Sequence, residues 1–215
     1  PGQIATLILP ADTAWSDGGE VGAALPAPAR TPVAPDTLRS IAQVLRSGQR
    51  ALLVLTGPAL IGAGLAAAHR IAQATGAQLR APTQLPRMER GRGRPAVDRI
   101  PYAVDNAVKV FAGVKHVILV GAKVPASFFA YPGKPSLLAP PDAATHVLAR
   151  PEQDIVGALE WLADELGAPR DTPIPDIAKP VLVRGAFEPA TFASTLGALL
   201  PENCIVAEEI GRAHV

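Results

Sequence analysis

A chain of 215 residues is long enough for one substantial hydrophobic core with partial neighbours. Apolar residues make up 48% and aromatic residues only 4%, so Ala, Val, Leu and Ile must do the packing, as in α/β proteins; a net charge of +1 supplies no basic field and speaks against nucleic acid. The lone cysteine, Cys204, cannot close an internal disulfide, and no apolar run reaches membrane-spanning length, so the expectation is a cytoplasmic setting without a membrane partner.

Taken in order, residues 1–19 hold one strand, Ile4 to Leu9, which Pro10 ends because proline cannot donate to a ladder. Such a strand is expected to close a domain lying upstream. Residues 20–35 contain Pro26, Pro28, Pro32 and Pro35 among alanines and read as an extended linker. Asp36 is placed to cap a helix whose inner face is Leu38, Ile41, Ala42 and Leu45, ending near Gly48.

The organising stretch is Arg50 to Gly76. It runs from an apolar strand, Ala51 to Leu55, through a turn carrying Thr56, Gly57, Pro58, Gly62 and Gly64, into a helix with Leu65, Ala68, Ile71, Ala72 and Thr75 on one face. Gly76 is placed to end it. That is the first half of a βαβ unit with a buried parallel strand, and its crevice of free backbone N–H groups favours phosphate.

Gln78 to Pro82 reads as a second strand. A long loop, Thr83 to Pro101, carries Arg87, Arg90, Arg92 and Arg94, and a helix follows over Tyr102 to Ala112. His116 to Val120 is a third strand, ending in Gly121 and Ala122. Phe128 to Lys134 is an aromatic turn, and Ser136 to Ala139 and Thr145 to Leu148 are two further short strands. Glu152 to Leu166 is an amphipathic helix with Gly167 beyond its end. Residues 168–180 form a second proline-rich linker; then come the apolar piece Val181 to Val183, a helix over Glu188 to Leu200 and a strand over Asn203 to Ala207. The fold class is α/β, a parallel Rossmann-like sheet flanked by helices, with strands near Ala51, Gln78, His116, Ser136 and Thr145 and a crevice at Gly57 and Gly121.

Several residues carry two readings. Gly57, Gly62 and Gly64 are spaced G-x4-G-x-G, unlike the dinucleotide fingerprint; they either admit a phosphate or permit a tight turn. The loop arginines either clamp a pyrophosphate or stay solvated, with Arg87 the strongest candidate for the first. Asp142 either accepts a ribose hydroxyl or is a turn aspartate after two prolines. Phe128, Phe129 and Tyr131 either stack on a flat ring or pack. His69, His116, His146 and His214 lack ligand spacing, so no metal site is expected. Asp164 and Glu165 read as the solvated face of their helix. The chain begins at Pro1 and its single methionine is Met88, and residues 210–215 read like one frame of a sequencing adapter, so a cut at both ends and a non-native tail are expected.

In order, spacing and wording, this arrangement resembles the thiamine-diphosphate-dependent enzymes of the acetolactate synthase large-subunit and benzoylformate decarboxylase type. PGQIATLILPAD is similar to the end of their pyrimidine-binding domain, and LGALLPENCIVAEE to the entry of their diphosphate-binding domain. RALLVLTGPAL, GVKHVILVGAK and the helix over 152–166 are similar to their central domain. The resemblance implies the end of a pyrimidine-binding domain over 1–19, a central domain over 36–167 and the start of a diphosphate-binding domain over 181–209. It also implies a parent enzyme, transferase or lyase, that cleaves or joins 2-keto acids and assembles as a homodimer or homotetramer.

Thiamine diphosphate and Mg2+ would then bind outside this chain. The family's activating glutamate and its Gly-Asp-Gly…Asn metal segment are not among these residues, so no catalytic residue is assigned and the fragment alone is expected to be inert. By position, Gly57, Gly62, Gly64 and Arg87 correspond to where an FAD or other adenine nucleotide would lie in the central domain. Gly121, Ala122 and Lys123 match the start of the Gly-Ala-Arg-Phe-Asp-Asp loop. Thereafter the sequence departs, reading VPASFF, and the expected acidic strand end is replaced by Ala139-Pro140-Pro141-Asp142, which tilts the reading towards the decarboxylases. The alternative is a stand-alone module binding FAD, NAD or ADP without chemistry.

Overall fold

The structure, a computed structural model, describes residues 6–207. Ile4 and Ala5, the start of the first expected strand, and the whole of 208–215, with the suspected tail, lie outside the described residues. The chain divides into two compact units, 1–90 with 95–174 and 91–94 with 175–215.

The first unit is built on a parallel sheet. β1 (Ala51–Leu55) is an unbroken apolar run buried at every position, as a strand covered on both faces must be. It pairs with β2 (Gln78–Ala81) on one side and β4 (His116–Val120) on the other; β3 (Asp98–Arg99) and β5 (Ala144–Ala149) form the edges, giving the order β3-β2-β1-β4-β5. All four pairings are parallel, with Leu53 opposite both Leu79 and Ile118. A register shift at Leu119/Val120 re-aims the end of β5.

Alternation along the strands sorts the core into two layers. Leu53, Leu55, Ile118 and Val120 face helices α2 (Pro35–Arg46), α3 (Gly62–Thr75) and α5 (Ile155–Glu165). Leu52, Val54, Val117 and Leu119 face α4 (Val104–Phe111), whose Val104, Ala107 and Phe111 point inward. Among the described residues, one face of the sheet therefore rests on three helices and the other on one.

The elements start and stop for local reasons. α2 begins two residues earlier than expected: Pro35 occupies the first turn, where its missing N–H costs nothing, and Asp36 pairs with Arg39 at 2.5 Å instead of capping. α3 ends at Gly76 in the left-handed conformation, and α5 is capped by the Asp154 carboxylate, which accepts from the Gly157 N–H at 3.0 Å.

Three strand expectations in the first unit change. Ser136 to Ala139 joins no sheet: Leu137 bridges Ala126 antiparallel, in a clip closed by Ser127 N–H donating to Ser136 O at 2.8 Å. The fifth strand is β3, inside the expected loop, which exists because β2 offers it a partner. Thr6 to Pro10 forms no strand and Leu7 and Ile8 are exposed; a single helical turn, α1 (Ala11–Trp15), follows with nothing buried.

Nor is the proline-rich stretch after 168 free. The His69 ring N–H donates to Pro173 O at 3.0 Å, and Arg70 reaches Ala168 O and Pro169 O. Likewise Thr31 O accepts the Asp154 N–H at 2.8 Å, and Val33 is buried.

The second unit contains α6 (Pro189–Leu199), opened by the Thr191 hydroxyl accepting the Glu188 N–H at 3.0 Å. Phe187 and Phe192 stack at 5.5 Å, and Arg92 forks onto both oxygens of Asp176 at 2.8 and 3.0 Å. Val181 to Val183 and Asn203 to Ala207 are not strands, having no ladder partner among the described residues; Asn203 turns with φ +56°.

Candidate functional site

The strand order puts β1 and β4 side by side although the chain leaves them in opposite lateral directions. At such a switch point the connections diverge and leave a crevice beyond the carboxyl ends of the strands. The crevice is closed below by two backbone bonds: Thr56 N–H donates to Val120 O at 3.2 Å and Gly121 N–H to Ala149 O at 2.8 Å. Above it, on the α4 side, lies a cavity of about 320 Å³, at the small end of the range for ligand pockets.

Its floor is apolar, from Val54, Val104 and Leu138, and its polar side chains are Thr56, Thr83, Gln84, Tyr102, Lys123 and Ser127. Lys123 is exposed at the mouth and is the cation among the lining residues. Tyr102 and Phe128 meet with ring centroids 5.8 Å apart and continue through Phe129 (4.6 Å) to Tyr131 (6.0 Å). The hydrogen bond to Tyr102 raises the Tyr131 hydroxyl above the usual phenol range. The arrangement is a small apolar slot with hydroxyls at its rim and one ammonium group, fit to hold a small or flat molecule.

The structure separates the residues singled out in the sequence into groups. Gly121, Ala122 and Lys123 line the cavity. Gly121 sits at φ +67°, where a Cβ would lie 2.7 Å from Ile155 Cδ1, so a glycine keeps the crevice floor close.

Gly57, Gly62 and Gly64 stand apart from the cavity lining, in the turn from β1 to α3. That turn is a 3-10 helix, Gly57–Leu60, whose Ala59 and Leu60 are buried. Arg87 is exposed in the loop after β2, and Arg90 donates to Val97 O at 3.0 Å.

Asp142 lies at the amino end of β5, away from any strand's carboxyl end, because the segment before it is not a strand. It pairs with Lys115 at 2.5 Å, and that hydrogen bond holds its carboxyl below the usual range.

Asp164 and Glu165, read as solvated, are ion-pair anchors, to Arg70 and Arg170 and to Arg46 respectively. His116 and His146, which lack ligand spacing in the sequence, meet ring to ring, Nδ1 to Nε2, at 3.0 Å.

Two groups had no sequence signal. Thr83 and Tyr102 reach the cavity only because β3 turns the intervening loop back onto the sheet. Glu89, one acid among loop arginines, places its Oε2 3.1 Å from the Gly62 N–H at the start of α3.

Among the described residues no group of three or more His, Cys, Asp or Glu side chains could hold a metal ion.

No protein-family model matches the chain. Over 207 residues, 96% of its length, it is 46% identical to a Mycobacterium tuberculosis (strain ATCC 25618 / H37Rv) protein provisionally named acetolactate synthase large subunit IlvX. The chain spans 40% of that relative's length. In fold it is similar to a thiamine diphosphate-dependent 4-hydroxybenzoylformate decarboxylase of Rhodococcus jostii RHA1, with a TM-score of 0.58, 21% identity, and coverage of 85% of this chain and 37% of the other. It is also similar to a protein from Mycobacterium smegmatis described as a thiamin diphosphate-dependent enzyme, with a TM-score of 0.52, 20% identity, and coverage of 72% and 32%. The phrases that carried the resemblance in the sequence and the parallel sheet that they build point the same way: over the part that it spans, the chain is similar in sequence to a protein named as an acetolactate synthase large subunit and in fold to thiamine-diphosphate-dependent enzymes.

Proposed function

We propose that this chain is the central, nucleotide-fold part of an acetolactate-synthase-like enzyme that uses thiamine diphosphate and Mg2+ to act on 2-keto acids. The observation that carries the reading is the 46% identity, along nearly the whole chain, to a relative named as an acetolactate synthase large subunit, matched over 40% of its length. A fold neighbour named as a decarboxylase of an aromatic 2-keto acid supports the same class of reaction.

On this reading residues 36–167 are the central domain, and the flanking domains of the same protein supply the cofactor, the metal ligands and the reactive groups. Thiamine diphosphate supplies the carbanion chemistry that makes decarboxylation of a 2-keto acid possible. The residues of this chain contribute a rigid parallel sheet and the cavity at Thr56, Tyr102 and Lys123. We place the parent in the cytoplasm as a homodimer or homotetramer.

The test is to express the full reading frame beside the 215-residue chain, supply both with thiamine diphosphate and Mg2+, and follow CO2 release and acetolactate formation from pyruvate, with benzoylformate as a second substrate. The expected result is turnover by the parent and none by the chain alone. A parent that neither binds thiamine diphosphate nor consumes a 2-keto acid would overturn the proposal.

A further inference from the structure

We propose that Glu89 is a resident anion at the turn where a nucleotide fold receives its phosphates, and that it sets this domain against FAD, NAD, ADP and other pyrophosphate-bearing ligands there. In such folds the N–H groups at the start of the helix after the first strand point at the ligand, and the helix dipole favours negative charge. Here that position is α3, and its first N–H, of Gly62, donates to the Glu89 carboxylate at 3.1 Å.

The carboxylate is held there from both sides of the residue, because the Glu89 N–H donates to Leu60 O at 3.0 Å. Two further amides of the turn are also committed to the chain. Ala59 N–H donates to Thr56 O at 3.3 Å and Thr56 N–H to Val120 O at 3.2 Å.

The glycines have reasons within the chain. A Cβ on Gly64 would stand 2.2 Å from Pro58 O, so glycine at 64 is required by the packing of the 3-10 turn on the helix. Gly62 has φ +50°, which lets the chain turn into α3. No ligand is needed to explain either.

An incoming pyrophosphate would have to displace Glu89 or stand against its charge. Glu89 is therefore a specificity residue by exclusion, and the cavity on the α4 side of β1 is left for small ligands without a pyrophosphate. Neither point depends on the thiamine reading, since the parent can use thiamine diphosphate in its other domains while this turn refuses a nucleotide.

The experiment follows the amide signal of Gly62 by 15N NMR while the purified chain is titrated with inorganic pyrophosphate and, separately, ADP. The wild-type chain is expected to show no saturable shift into the millimolar range. Glu89→Ala is expected to gain one, with an apparent affinity raised by about tenfold or more.

Glu89→Gln, which keeps an acceptor but drops the charge, serves where the alanine variant fails to fold. Saturable binding at Gly62 in the wild type overturns the proposal, as does a folded Glu89 variant that gains none. Loss of thiamine-dependent activity in the parent would bear on the functional reading and leave this result untouched.

Discussion

Arg70 and Asp164 join two helices that originate at opposite ends of the sheet-forming chain, with Arg70 Nη2 donating to Asp164 Oδ1 at 2.6 Å. Arg70 is nearly buried, its side chain only 12% exposed, and it also donates to Ala168 O at 2.7 Å and Pro169 O at 3.0 Å. One guanidinium thus ties α3 to the end of α5 and to the start of the proline-rich stretch.

Removing this guanidinium leaves two carbonyls and a carboxylate without it, so Arg70→Ala is expected to cost about 2–3 kcal/mol, read from urea unfolding. The bond to Arg70, assisted by Arg170, holds the Asp164 carboxyl below its usual range. A depressed carboxylate stabilises the fold fully above its unfolded value of about 3.9, and the contribution is lost as pH falls through the lower folded value. Asp164→Asn is therefore expected to melt below wild type at pH 7. The gap should close as both are acidified below the ordinary carboxylate range; a gap unchanged by acid would refute the pairing.

The three glycines near the crevice are expected to differ in their response to alanine, for different reasons. Gly64 has ordinary helical geometry but faces Pro58 O at 2.2 Å, a backbone atom that cannot swing away, so Gly64→Ala is expected to cost about 2–3 kcal/mol. Gly62 faces open space and pays only for its φ of +50°, about 1 kcal/mol. Gly121 combines φ +67° with the movable Ile155 Cδ1 at 2.7 Å and should fall between them. Melting temperatures of the three variants give the order directly, and Gly62→Ala as the most damaging would contradict it.

The face of the sheet served by a single helix is its vulnerable one. Phe111 is fully buried beneath that helix and packs among Leu52, Val117 and Val114. With no second helix to collapse into the space, Phe111→Ala is expected to cost about 3–5 kcal/mol. The same loss should enlarge motion around the cavity, since Val104 and Ala107 on that helix line it. Hydrogen exchange across 100–111 should rise in the variant while that of α3 stays near wild type.

What the sequence disclosed follows from where its signals are local. β1, α3 and α5 were legible because a continuous apolar run or a 3.6-residue stripe sits within a single segment, and Gly76 and Gly167 mark helix ends by their own identity. β3 was not legible, since Asp98 and Arg99 are polar and become a strand only by pairing with Arg80 and Ala81. Ser136 to Ala139 misled because apolar residues near prolines fit a strand as well as a clip.

At the site, Gly121 to Lys123 could be placed because they directly follow a strand. The glycines of the first turn were visible as a motif, but their cause, Pro58 O, is a contact across the fold. Glu89 was hidden for the same reason: nothing in a loop of arginines says that one acid reaches back 27 residues to a helix start.

The pair His116 and His146 makes the last prediction, at the amino ends of β4 and β5, away from the cavity. The His116 Nε2–H donates to Gln49 Oε1 at 2.9 Å, which leaves Nδ1 as the acceptor for the His146 Nε2–H at 3.0 Å. That chain of donors works only while His116 keeps a neutral Nδ1. Burial, and then the neighbouring His116, lower the His146 value below its usual one. A base depressed on folding takes its proton more readily in the unfolded chain, so stability is undiminished above about 6.5 and declines as pH falls towards the lower folded value. Lys115 and Asp142 stand beside the pair but answer each other, and Asp142 stays ionised throughout this range. The wild-type chain is therefore expected to lose melting temperature between pH 7 and pH 5. His146→Gln, which cannot be protonated, should flatten that slope while lying close to wild type at pH 5. An equally steep slope in His146→Gln would mean that the two rings do not share this proton economy.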